Sequence, residues 1–240
     1  DDNERVVSAR LLADLAALHP EARASIAAQA EDALWFWLHE QPSPHANGLR
    51  ALANLQSQKN LAELRAWSDP QVPLPLEGQQ PPMPEEWVIA QSALRYVGKM
   101  RDPASFPVLL QALQRRPPDK DVTMDGLLSG GVAILGMSLR ALGMGAANGL
   151  AEWGDVRAFQ PLVTYIEDPL NNEQSRLEAG AALGWVGTDK DLQQLAKRVA
   201  QGGGSARSLL PRLCFIEGLR ARPVPGVAAL LLPLLDVRQP

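Results

Sequence analysis

The segment Ala93-Leu94-Arg95-Tyr96-Val97-Gly98 returns later in the chain as Ala182-Leu183-Gly184-Trp185-Val186-Gly187. The first copy leads through Arg101-Asp102-Pro103 into an apolar run with Phe106, Val108, Leu109 and Leu110. The second leads through Asp189-Lys190-Asp191 into Leu192, Leu195, Ala196 and Val199. A weaker third copy is Gly149-Leu150-Ala151-Glu152-Trp153-Gly154-Asp155, followed by Phe159, Leu162, Val163 and Ile166. A unit that recurs at tens of residues cannot bury its apolar face alone, so its copies must stack on one another. This constrains the shape and leaves the activity open.

Composition agrees with helices. Ala and Leu dominate, only 5% of residues are aromatic, and β-branched residues are scarce, a bias that predicts an all-α chain. The formal net charge of −4 excludes an overall basic field of the kind that draws nucleic acid, so none is expected as a partner. A single cysteine, Cys214, rules out an intramolecular disulfide. It sits in the apolar run Leu209–Ile216 and reads as a buried, inert thiol. His19, His39 and His45 show no metal-ligand spacing. No Gly-x-Ser-x-Gly elbow is present, and Gly202-Gly203-Gly204 lacks the Lys and the preceding strand of a phosphate loop. The expectation is therefore no enzyme activity, no cofactor and no metal. The apolar stretch Gly126–Leu150 is interrupted by Arg140, Asn148 and six glycines, so no membrane insertion is expected.

Along the chain, Val6, Val7, Leu11, Leu12, Leu15 and Leu18 mark one face of a helix over Asn3–Leu18. A second helix runs from Pro20-Glu21 to about Glu40, with Ile26, Ala30, Ala33, Leu34, Trp37 and Leu38 apolar. Short helices follow over 49–55 and 60–67. Asp69–Pro84 carries six prolines and predicts an extended loop, either a docking arm or a passive spacer. Further helices are expected over 85–99, 103–115, 124–152, 156–167, 172–186, 189–201, 205–220 and 224–235. The stretch between Leu94 and Leu150 predicts one lengthened helix and not an inserted domain. A break at Gly143–Gly145 is the competing outcome, because Arg140-Ala141-Leu142-Gly143 itself looks like a motif copy. No secretion signal is present in the sequence, but Asp1 is not an initiator Met, so a chain processed or cut from something longer is expected, and a mature exported protein and an excised cytoplasmic fragment both fit. The last helix, Val227–Leu235, lacks the polar outer face of a terminal repeat. That predicts a chain continuing past Pro240 or an end that meets a partner.

The unit resembles the bacterial HEAT-like repeat, the type seen in phycobilin lyase subunits. Asp168, Arg176, Ala179, Ala182, Leu183, Gly184 and Gly187 fit its pattern, with Pro169–Ser175 stretching the turn. The motif leucines fall at Leu52, Leu94, Leu150, Leu183 and Leu219, spacings of 42, 56, 33 and 36 residues. Such repeats recur at about 33–47 residues, so the second spacing requires an insertion. The resemblance covers roughly residues 47–235. It implies an α-solenoid of HEAT-like helical hairpins over 47–240, behind an irregular N-terminal helical cap over 1–46.

In such arrays the helix bearing Ala-Leu-Gly lines the concave surface. The resemblance thus implies that Gln91, Arg95, Arg140, Glu178 and Arg212 face a groove. Trp35-Phe36-Trp37 lie about 100° apart on one helix, so a single face cannot bury all three. Trp35 or Phe36 either packs on the following repeat or stands exposed as an anchor for a partner. Tyr96 and Trp185 hold the same motif position, which predicts equivalent faces, for packing between repeats or for a ligand stripe. These residues point to a non-catalytic scaffold that binds a protein partner through its concave helices or its apolar end. The alternatives are a bilin-lyase-like or other small-ligand enzyme, and a HEAT-like DNA-binding protein.

Overall fold

The computed structural model describes residues 2–40, 46–58, 61–68, 84–115, 131–201 and 209–232. Every regular element among them is a helix, so the protein is all-α. In chain order these are α1 (Asp2–Leu18), α2 (Arg23–Glu40), α3 (Ala46–Leu55), α4 (Leu61–Ser68), α5 (Pro84–Met100) and α6 (Phe106–Gln114). They continue as α7 (Gly131–Trp153), α8 (Phe159–Glu167), α9 (Glu173–Val186), α10 (Asp189–Gln201), α11 (Leu209–Ala221) and α12 (Val227–Leu231). Single 3-10 turns at Pro20–Ala22, Pro103–Ser105 and Val156–Ala158 lead into α2, α6 and α8. Apart from Pro84, which opens α5, the proline-rich stretch lies outside the described residues. The same holds for the upstream part of the 124–152 helix, for 205–208 and for 233–235.

Local signals explain the boundaries. Asn172 caps α9 by accepting the Gln174 amide at 2.9 Å, and Glu173 favours the helix dipole in the first turn. Thr188 and Asp191 cap α10 reciprocally: Asp191 Oδ2 accepts the Thr188 amide at 2.9 Å, and Thr188 Oγ1 accepts the Asp191 amide at 3.2 Å. Helices α3, α5 and α7 all end in a left-handed residue: Gln56 (φ 53°), Arg101 (φ 51°) and Gly154 (φ 72°). The next residue in two of these turns, Asp102 or Asp155, is extended and opens the 3-10 turn. Gln56 and Arg101 carry the strain of a Cβ in that region, and Gly154 avoids it. A Cβ on Gly154 would meet only the Arg101 guanidinium, at 3.9 Å. Gly154→Ala is therefore expected to cost about 1–2 kcal/mol through conformation alone, measured as a shift in the urea midpoint with unchanged slope.

The odd-numbered helices touch one another in order, α1 to α3, α3 to α5, α5 to α7, α7 to α9 and α9 to α11. Five even-numbered helices pack on odd-numbered neighbours, α2 on α1 and α3, α4 on α5, α6 on α7, α8 on α9, and α10 on α11, while α12 packs on α10. Glycines set two of the crossings. A Cβ on Gly98 of α5 would overlap the Gly149 carbonyl of α7, and one on Gly180 of α9 would overlap the Cys214 carbonyl of α11. The buried side chains form two cores. One joins α1 to α5 around Leu34, Leu49, Leu52 and Val97, and the other runs from α5 to α12 around Leu94, Leu150, Leu183 and Phe215. Helix α5 contributes to both.

One expectation holds over the described residues and one changes. The stretch before the third motif copy includes one unbroken 23-residue helix, α7, with no break at Gly143–Gly145. There Gly143 fits beneath the Tyr165 hydroxyl and Gly145 against the Gln91 backbone. In α1 the apolar face is not the buried one. Val7, Leu11, Leu15 and Leu18 are exposed, Leu18 by 74%, while Ala9, Ala13 and Ala16 are buried. Small alanines let α2 and α3 approach α1 more closely than a row of leucines would.

Candidate functional site

Helical spacing sets up a polar face along the row. Arg50 and Asn54 are one turn apart on α3, and Arg95 and Lys99 one turn apart on α5, so each pair projects on one side of its helix. Asn54 joins the helices, its amide nitrogen donating to Asp14 of α1 at 3.0 Å while its oxygen accepts from the Lys99 ammonium. Arg50 lies 3.8 Å from Asp14. Arg95 donates to Glu152 of α7 at 3.1 and 3.3 Å, and Arg101 donates to the Glu152 carbonyl at 3.3 Å. Arg23 of α2 reaches Gln56 at 2.7 Å. A continuous polar ladder thus crosses α1, α3, α5 and α7. The exposed pairs Arg95–Glu152 and Arg50–Asp14 contribute only about 0–1 kcal/mol each to stability, whereas the buried Asn54 amide is satisfied by its two partners. Burial lowers the Lys99 pKa; Glu152 opposes the shift, and Arg95, Arg23 and Arg50 add to it.

Further along lies an open cleft of about 530 Å³ between the turn at Trp153–Val156 and the segment Trp185–Thr188, closed at one side by Arg222. The Trp185 ring is 58% exposed there. Trp153 packs on Phe106 at 5.4 Å, and the Arg157 guanidinium covers the other ring at 4.5 Å. Arg157 also clasps Asp155 with bonds of 2.6–3.0 Å, which hold that carboxyl below the usual range. Arg222 pairs with Asp189 at 3.0 Å. The charges around the cleft are therefore matched, and its one large unpartnered surface is the Trp185 indole.

The residues singled out by sequence are not gathered in one place. Arg95 lies in the ladder. Gln91 is half-buried two turns before Lys99, with its backbone against Gly145. Arg140 is exposed on α7, about 18 Å along the helix from Glu152. Glu178 and Arg212 are half-buried on α9 and α11. Tyr96 is only 8% exposed and belongs to the first core, so it and Trp185 do not share an equivalent exposed position. The neighbours decide this: at α9 the residue before Trp185 is Gly184, which turns inward against Gly218, whereas at α5 the corresponding Arg95 stays outward. Trp35 stacks on Trp67 of α4 at 5.7 Å, and Phe36 is 64% exposed on α2. Sequence reasoning missed Arg23, Arg50, Asn54 and Lys99. The like-charged pair Arg95/Lys99 at i,i+4 was the available signal, since it gains nothing on an isolated helix.

Cys214 is fully buried, and desolvation pushes its thiol up to about 11. At pH 8 its thiolate fraction is about a thousandth. Disulfide-reagent labelling is expected to be roughly a hundredfold slower in the folded than in the unfolded protein. Among the described residues, no three His, Cys, Asp or Glu side chains cluster as a metal site. No described helix is long and apolar enough to cross a membrane.

No protein-family model, curated protein or solved structure matches this chain.

Proposed function

We propose that the protein is an α-solenoid of HEAT-like helical hairpins that acts as a non-catalytic scaffold, holding a protein partner along the exposed face of its odd-numbered helices. The observation that carries this reading is Trp185, more than half exposed over an open cleft. A large rigid ring held at an exposed position is the commonest anchor of an interface, because it contributes contact area with little entropy to lose. Helices locked by glycine crossings add to this, since a surface already ordered binds without paying for its own ordering.

The test uses the whole chain as bait in a native extract, with captured proteins identified and their affinity measured. Trp185→Ala is expected to weaken capture about tenfold or more while the melting temperature holds, since the side chain is mostly in solvent. Capture that survives Trp185→Ala, and also survives charge reversal along the ladder, would remove this face as the binding surface.

A further inference from the structure

We propose that the basic surface formed by Arg23, Arg50, Arg95 and Lys99 is the seat for an acidic peptide segment of the partner. This rests on the scaffold reading above and names the chemistry of what is bound.

The sign of the local charge is the first support. The chain as a whole carries −4, yet the ladder joins five cations, Arg23, Arg50, Arg95, Lys99 and Arg101, to two carboxylates. The carboxylates bonded into the ladder are Asp14 and Glu152, and nearby Glu31 is engaged by Ser57. How the cations are held is the second support. Lys99 and Arg23 are met by neutral amide oxygens, Asn54 Oδ1 and Gln56 Oε1. A carboxylate in place of an amide adds the attraction of opposite charges to a bond whose donor alone is now charged, so an arriving Glu or Asp has something to gain over the resting partners. Arg50 is held only loosely, at 3.8 Å from Asp14. The third support is partial burial: Lys99 is shielded enough for its charge to be penalised, and in such surroundings an opposite charge interacts more strongly than in open water.

The same magnitudes favour a peptide over nucleic acid. Tight binding to a phosphate backbone draws on about six to ten contacts from an extended basic field. Here four cations sit on a chain of net negative charge, enough for a few carboxylates of one short segment.

Fluorescence anisotropy with the full chain tests the proposal, using a short labelled Glu-rich peptide, its Gln counterpart and an oligothymidylate of equal charge as probes. The Glu peptide is expected to bind about tenfold or more tightly than the Gln peptide, with affinity falling as salt rises. Arg50→Glu with Lys99→Glu is expected to cut that affinity by about tenfold or more. The exchange Arg220→Glu with Glu217→Arg, an exposed pair outside the seat, keeps the number of charges and should stay within about threefold of the parent. If the reversed pair fails to fold, Arg50→Gln with Lys99→Gln removes both charges with less repulsion and should give a smaller loss in the same direction. Equal binding of the Gln peptide, no binding of either peptide, or oligothymidylate bound as tightly as the Glu peptide would each overturn the proposal. Failure here with Trp185-dependent capture intact leaves the scaffold reading standing, whereas loss of Trp185 dependence strikes that reading itself.

Discussion

Gly98→Val is expected to lower the unfolding free energy by about 3 kcal/mol or more, the upper range for inserting atoms where packing has no room. Two effects compete at this site. Removing a helical glycine gains up to about 1 kcal/mol of intrinsic propensity. Against that, the new Cβ would overlap the carbonyl oxygen, carbonyl carbon and Cα of Gly149, which is backbone and cannot rotate away. Helices α5 and α7 must then separate along their whole crossing, loosening Leu94, Leu109 and Leu150 in the core they share. The steric term wins. Chemical denaturation of Gly98→Val beside Gly154→Ala provides the internal comparison, because the second change meets almost nothing. A Gly98→Val protein as stable as its parent would mean that the two helices do not cross this closely.

Leu183→Ala is expected to cost about 2–5 kcal/mol, the range for deleting a fully buried leucine with incomplete collapse of the site. Leu183 lies in the second core, its Cβ 3.2 Å from where a Cβ on Gly218 would stand, so α9 and α11 lose contact together. The effect should not be uniform. The first core, around Leu34, Leu49 and Leu52, shares only α5 with the second, so amide exchange should quicken most from α7 to α12 and least in α1 to α3. Exchange rising equally along the chain would show one indivisible cooperative unit in place of units coupled through neighbours.

Much of this was legible in the residues because it is local. Helix over strand followed from the abundance of Ala and Leu, and helix ends from Pro103, Asp155, Asn172 and the Thr188/Asp191 pair, which act within a turn of where they stand. Gly98, Gly149 and Gly184, all within the motif copies, lie at crossings.

What the sequence could not determine depends on which helix arrives opposite which face. A periodic stripe such as Val7, Leu11, Leu15 and Leu18 shows that a face is apolar, but burial went to Ala9, Ala13 and Ala16 because close packing favours the smaller surface. Identical motif positions diverged in the same way: Tyr96 is covered and Trp185 is not. The polar ladder was the least legible feature. Its members, Asp14, Asn54, Lys99, Arg95 and Glu152, come from four helices and are up to 138 positions apart in the chain. No local pattern encodes a hydrogen bond between helices, so only the stacking of α1, α3, α5 and α7 brought these charges onto one face.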